Sequence, residues 1–255
     1  MMKTLFITLN FLWVGILSAQ DLIGAKWRIN NILGADINKE DFYILTKPGS
    51  YGKHLQLSTD GNFESWYSAP CGNDCFTRSY GTYKKISEEY ISFHIQKVER
   101  WGWCSDVGEV EKNETNTYYV YKKSESEIYL LKTTGNHSKD LQKATYAKVL
   151  ADNIRIIPKN NYSSFGNITL PSKLTCQQRA DNYTSQYLKL TNYELCVTGS
   201  KDFISVHLVK DLDKNAYYYI VERPLEEGYG LFHYTEDQVK ELFRDYYEKR
   251  YGKRK

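Results

Sequence analysis

Over residues 90–98 the chain places Ile91, Phe93 and Ile95 in strict alternation with Ser92, His94 and Gln96. A period of two sends successive side chains to opposite faces of a strand, so this segment needs a core on one side and water on the other. Further short strands read at 25–33 (with Trp27, Ile29 and Ile32), at 54–58, which alternates around Leu55 and Leu57, and at 63–69, 76–84, 117–122 and 127–132. Thr59-Asp60-Gly61-Asn62 reads as a hairpin turn, because Asp-Gly tolerates the positive φ that tight turns require. About seven short strands at this spacing predict an antiparallel barrel or sandwich over residues 20–135. The 23 tyrosines against two methionines fit, since Tyr suits the half-buried pleated face of a sheet.

Beyond this meander the pattern changes. A helix is predicted over 139–151, with Ser138 as N-cap and Tyr146, Val149 and Leu150 on one face, while Leu141 falls off that stripe. A short strand follows at 154–157, ended by Pro158, and residues 159–186 read as polar loop or linker. Strands at 193–198, 203–209, 216–222 and 229–234 lead to a final helix. Thr235 with Gln238 forms a capping box there, Glu236 and Asp237 suit the positive end of the helix dipole, and Val239, Leu242, Phe243 and Tyr246 make an apolar stripe. The expected organisation is mainly β. Its parts are a signal peptide (1–19), a barrel (20–135), a helix and linker (136–160), and a smaller α+β domain (161–255) that ends in an amphipathic helix.

Residues 1–19 carry Lys3, an apolar run from Leu5 to Leu17 and a small-residue exit at Ala19, the pattern of an export signal cleaved near Ala19. That run is shorter than the roughly 20 residues of a membrane helix, so the expectation is a periplasmic or secreted protein with no membrane span. The formal charge of +3 gives no reason to expect a nucleic-acid partner, and the basic run 249–255 reads as a solvated tail. Sequons at Asn113, Asn136, Asn161, Asn167 and Asn182 arise readily by chance in a chain rich in Asn, Ser and Thr. In an oxidising compartment Cys71, Cys75, Cys104, Cys176 and Cys196 are disulfide candidates, and their odd number leaves one thiol over. Grouping along the chain pairs Cys176 with Cys196, and Cys104 with Cys71 or Cys75.

Leu22-Ile23-Gly24-Ala25-Lys26-Trp27, the Asp60-Gly61-Asn62-Phe63 hairpin, Gly81-Thr82-Tyr83 and Glu89-Tyr90-Ile91-Ser92-Phe93 together resemble the small lipocalin-like, calycin-type domains of exported bacterial proteins. The resemblance covers residues 21–132, with Gly-x-x-Trp in place of the family's Gly-x-Trp. It implies an up-and-down barrel whose mouth or cavity takes one small ligand, with Trp27 closing the base and the helix after Ser138 packed on the barrel.

Candidate chemistry is sparse. Cys71, Cys75, Cys104 and His94 contain the residue types of a zinc site, but the spacing and the compartment favour disulfide, so no metal and no cofactor are expected. Trp101 and Trp103, two apart on a strand, either fill the core or form an aromatic platform for a ligand with Trp66 and Tyr67. His54, His94, His137, His207 and His233 are scattered, and His207 reads as a sheet residue. No catalytic residue is assigned. The function expected is an exported, non-enzymatic binding protein for a small apolar or lipid-like ligand. The alternative is a protein-interaction or inhibitor module using exposed aromatics or the C-terminal domain, with a polymer-acting enzyme as the third possibility.

Overall fold

The structure is a computed structural model that describes residues 22–35, 42–154, 157, 168–171, 173–201 and 204–251. The predicted export signal, the Asn161 and Asn167 sequons and the end of the basic tail lie outside these residues. No helix among the described residues is long and apolar enough to cross a membrane.

Eight antiparallel strands close into a barrel: β1 (Lys26–Ile29), β2 (Phe42–Thr46), β3 (Gly52–Leu57), β4 (Asn62–Ser68), β5 (Cys75–Lys85), β6 (Tyr90–Gly102), β7 (Gly108–Ser124) and β8 (Glu127–Lys132). β2 is the strand missing from the expected seven. The ring runs β1-β2-β8-β7-β6-β5-β4-β3, so β3 to β8 form a meander, but β1 stands between β2 and β3 and departs from plain up-and-down order. Residues 47–51 therefore cross over β1. The Arg28 guanidinium sits beneath this crossover, 3.2 Å from where a Cβ on Gly52 would lie.

The barrel interior is packed with its own side chains. Leu45, Leu55, Leu57, Phe63, Ile91, Phe93, Ile95, Tyr118 and Leu130 are all buried in one cluster with Trp27. Phe93 meets Phe63 and Tyr118 edge-on, with ring centroids 5.1 and 5.8 Å apart. The turn after β1 enters the same core: Leu33 N–H donates to Ser65 Oγ at 3.2 Å and its carbonyl accepts from Ser79 Oγ. A Cβ on Gly34 would lie 2.6 Å from Ile95 Cδ1, so only glycine lets this turn in so deeply.

On β2, β7 and β8 the opposite face is apolar as well. Phe42, Ile44, Tyr119, Tyr129 and Leu131 point away from the barrel interior into a second core. That core is completed by Ala144, Tyr146, Ala147, Leu150, Ala151 and Ile154 of α1 (His137–Ile154) and by one face of a second sheet. The helix begins at His137 rather than Lys139, with Asn136 rather than Ser138 as its cap, since Asn136 Oδ1 accepts from Lys139 N–H at 3.1 Å. Its start is tied to the barrel by buried Asp140, which accepts from Thr133 Oγ1, Thr134 N–H, Thr134 Oγ1 and Tyr90 Oη at 2.6 to 3.0 Å. Burial would raise the Asp140 carboxyl, but these hydrogen bonds outweigh it and hold it below the usual carboxylate range. Ile154, expected in a strand, is instead the last helical residue.

The second sheet has the order β10-β11-β12-β13-β9: β9 (Ile168–Leu170), β10 (Tyr193–Lys201), β11 (Ile204–Asp211), β12 (Ala216–Pro224) and β13 (Tyr229–Thr235). One face takes α1 and α3 (Glu236–Tyr251), whose expected capping box forms between Thr235 and Gln238. The other face takes α2 (Cys176–Tyr183), continued by a π-helical turn at Thr184–Leu188. Both α2 and β9 fall in the stretch expected to be loop. The sheet approaches the barrel at Gly199, where an added Cβ would lie 2.8 Å from Phe42 Cε1 and 3.1 Å from Ile154 Cδ1.

One disulfide, Cys75–Cys104, joins the start of β5 to the turn beyond β6 across 29 residues. A loop of that length is worth about 3–4 kcal/mol in the chain-entropy picture. Cys71, Cys176 and Cys196 are free thiols. The expected Cys176–Cys196 bond is therefore overturned: Cys196 sits at a bulge of β10 and joins the core shared with α1, whereas Cys176 lies on the other face of the same sheet. With Cys75 and Cys104 oxidised, the zinc reading of that cluster loses two ligands, and His94 bonds Thr115 Oγ1 at 3.0 Å.

Gly199→Val should destabilise the whole chain by about 1–3 kcal/mol, the usual cost of overpacking a filled site. A urea titration followed by tryptophan fluorescence measures it. An unchanged midpoint would show that the barrel and the second sheet are not held at this close approach.

Candidate functional site

Among the described residues, a buried polar cluster in the second unit is built by α2 and three strands beneath it, β10, β11 and β12. Cys176 is the first residue of α2. The helix starts there because Thr175 is an N-cap whose hydroxyl accepts from Gln178 N–H, while the Gln178 side chain accepts from Thr175 N–H at 2.8 Å. The box uses the N–H of Gln178, and the N–H groups of Cys176 and Gln177 have no intrahelical acceptor, as in any helical first turn. The half-buried sulfur thus lies at the positive end of the helix.

Beneath it, His207 on β11 and Glu222 on β12 are fully buried, on the sheet face that packs against α2. Cys176 Sγ lies 3.7 Å from His207 Nε2 and 4.0 Å from Nδ1. Thr198 Oγ1 on β10 lies 2.9 Å from His207 Nδ1, and Glu222 Oε2 lies 3.6 Å from Nε2. Arg179, one turn into α2, donates from Nε to Glu222 Oε2 at 2.9 Å and from Nη2 to Oε1 at 2.5 Å. The same guanidinium donates to the Leu174 carbonyl and sits over Tyr229, its carbon 3.6 Å from the ring centroid. Burial is the largest influence on each charged member and works against its charge, but neighbours reverse the balance. Cys176 and then Glu222 raise His207 to about 10, the hydrogen bonds from His207 and Arg179 hold Glu222 below the usual carboxylate range, and Glu222 keeps Arg179 charged.

The same cluster offers one sulfur, one nitrogen and one carboxylate to a metal ion within 4.8 Å of one another. Arg179 argues against that use. Its fork already engages both oxygens of Glu222, and a cation there would meet repulsion from the adjacent guanidinium. Dithiol redox chemistry is disfavoured too, because Cys196 faces the opposite core, where burial and then Glu194 push its thiol up to about 12. What the arrangement can do is place the Cys176 sulfur beside an imidazole that is oriented by Thr198 and paired with Glu222, whose carboxylate Arg179 holds in turn.

The aromatic residues singled out from the sequence are only partly brought together. Tyr67 meets Phe76 at 6.0 Å, and Phe76 stacks on Trp101 at 5.7 Å, with Arg78 over the Trp101 ring. Trp66 instead packs on His54 and Lys26, and Trp103 is 76% exposed. Neither Trp101 nor Trp103 fills the core. Gly102 between them has φ +86°, which breaks the strand alternation as the chain turns toward the Cys104 disulfide.

Sequence reasoning missed Cys176, Arg179 and Glu222 as a group and treated His207 as a plain sheet residue. A signal was present: Thr175-Cys176-Gln177-Gln178 has the same Thr-x-x-Gln capping spacing as Thr235 to Gln238, which did mark a helix start. Comparison with protein-family models, curated proteins and solved structures found no match for this chain.

The charges of this cluster set a pH window. His207 is raised above its ordinary 6.5, so its stabilisation is complete below that value and is lost as pH rises through about 10. Glu222 is lowered, so its contribution is present above its ordinary value of 4.5 and is lost on acidification through its depressed value. The melting temperature should therefore fall between neutral pH and about pH 10 in the wild type and change much less over that window in His207→Gln. Parallel alkaline profiles for the two proteins would contradict the assignment of charge to His207.

Proposed function

We propose that this chain is an exported thiol-dependent acyl-transfer enzyme, with Cys176 as nucleophile and His207 as its acid–base partner. The observation that carries the reading is the 3.7 Å approach of a half-buried helix-N-terminal sulfur to a fully buried histidine. A structural ion pair of Arg179 and Glu222 would be complete without His207. His207 is the further member of that cluster, and its Nε2 faces both the Glu222 carboxylate at 3.6 Å and the Cys176 sulfur at 3.7 Å.

Acyl transfer fits the geometry as follows. Cys176 Sγ adds to the carbonyl carbon of an ester or amide, and the N–H groups of Cys176 and Gln177, which have no intrahelical acceptor, are assigned to the oxyanion in this proposal. His207 gives its proton to the leaving alcohol or amine as the carbonyl re-forms into a thioester. Water then attacks the thioester with its proton passing to His207, and the carboxylic acid departs as the thiolate is restored. Arg179 reaches His207 only through Glu222, so both are positioning residues. The ligand expected inside the barrel gains no support from an interior packed with Leu, Ile, Phe and Tyr side chains, and the barrel here serves as the rigid body on which the second unit is mounted.

Incubation with p-nitrophenyl acetate, followed by intact-mass and peptide analysis, tests the proposal. The expected result is an acetyl group on Cys176 that accumulates faster than on exposed Cys71, slows by about 100-fold in His207→Ala, and is absent in Cys176→Ser. Equal labelling of Cys71 and Cys176, or labelling indifferent to His207, would falsify the assignment. In a second test, Glu222→Gln should keep the adduct site but shift the pH profile of acylation toward acid, because the lost carboxylate lowers the His207 proton affinity.

A further inference from the structure

A second site lies away from the thiol, where residues 47–51 cross over β1. A cleft of about 860 Å³ opens there between the barrel flank and the end of the second sheet, within the size range of small-ligand sites. Its walls bring together Arg28, Lys47 and Lys53, with Glu127 as the one acid among the described residues that line it. Glu127 is already engaged, accepting from Tyr129 Oη at 2.8 Å and Lys123 Nζ at 3.3 Å. Among the described residues no carboxylate is ion-paired with Arg28, Lys47 or Lys53.

The cations are also held in place. Lys53 Nζ donates to Asn31 Oδ1, and Asn31 Nδ2 in turn donates to Ser200 Oγ of the second sheet at 2.8 Å, so a neutral acceptor fixes the ammonium without cancelling its charge. Arg28 is seated under the crossover in a notch left by Gly49 and Gly52. The positive field is felt by the neighbouring imidazole: burial first, then Lys26 and Arg28, hold His54 below its ordinary range. Three like charges gathered around one cleft repel each other, and an anion bound there relieves that repulsion. Ile44 and Ile154 supply an apolar wall beside them.

We infer that this cleft binds a small organic anion, with a phosphate or carboxylate group held by Arg28, Lys47 and Lys53 and an apolar body against Ile44 and Ile154. The inference stands on the cleft and its unpaired cations and is independent of the thiol chemistry. Because Ser200 and Ile154 line the cleft from outside the barrel, bound ligand bridges the barrel to the rest of the chain.

Calorimetric titration of the intact protein with octyl phosphate, octanoate and inorganic phosphate tests it. Octyl phosphate should bind with a Kd below about 1 mM and weaken by about tenfold or more in Arg28→Gln/Lys47→Gln/Lys53→Gln and in added salt. Lys148→Gln, on the exposed side of α1, should leave it unchanged. Tighter binding of octyl phosphate than of inorganic phosphate supports an amphiphile, equal binding supports a free phosphate, and the octanoate titration reports whether a carboxylate suffices. Single Lys47→Gln, in the exposed crossover, gives the same readout if the triple variant fails to fold. No binding of any of the three anions, or affinity indifferent to these cations, overturns the inference.

Discussion

The rest of the molecule depends on apolar side chains that point the wrong way for a free-standing barrel. Phe42, Ile44, Tyr119, Tyr129 and Leu131 face outward from β2, β7 and β8, and all are buried. Left in water they would form a contiguous apolar patch of the kind monomers avoid. Helix α1 covers them with Ala144, Ala147 and Ala151, whose small side chains allow a close approach, and with Leu150 and Ile154. The same core is completed by Val197, Val206, Leu208, Tyr219, Val221 and Phe232 of the second sheet. Barrel and second unit therefore share one hydrophobic core, and residues 137–154 are the middle layer of that core.

This arrangement explains where the two candidate sites lie. The second sheet spends one face on the shared core, and the free face takes α2, so polar residues of β10, β11 and β12 on that side come to lie under one helix N-terminus. Thr198, His207 and Glu222 are buried as a consequence, and burial is what makes their mutual hydrogen bonds and charges strong. Arg179 completes the charge balance from α2 itself. The basic cleft arises from a different feature, the short β1 between β2 and β3, which obliges the chain to cross over it and gathers Arg28, Lys47 and Lys53 around the crossing.

The alternation of Ile91, Phe93 and Ile95, the Asp-Gly hairpin and the Thr235 capping box each carried their structural meaning locally, and the antiparallel barrel and the final helix followed from them. β2 was harder to see. Phe42-Tyr43-Ile44-Leu45 is apolar on both faces, so it lacks the period of two that marks Leu55 and Leu57 or Ile91, Phe93 and Ile95. β8 is buried on both faces in the same way but is flanked by charged residues that bound it. The helix α2 was hidden by its composition, since only Arg179, Ala180 and Tyr183 of its eight residues are buried and its surroundings are polar. The Cys176–Cys196 pairing failed because nearness in sequence carries no information about which face of a sheet a bulged strand presents.

The sequence by itself determined the class of structure: strand periodicity, turn chemistry and capping residues are local properties, each decided within a few neighbouring positions. It also determined the chemical stock, five cysteines and five histidines, from which any site had to be drawn. Only the tertiary structure decided which of these meet. Cys176, His207 and Glu222 are separated along the chain and come together because β11 pairs with β12 in one register while α2 crosses above them, and that register is set by the shared core on the sheet's other face. Side chains that belong to no common local pattern were joined by packing, through long-range burial that local propensity does not encode.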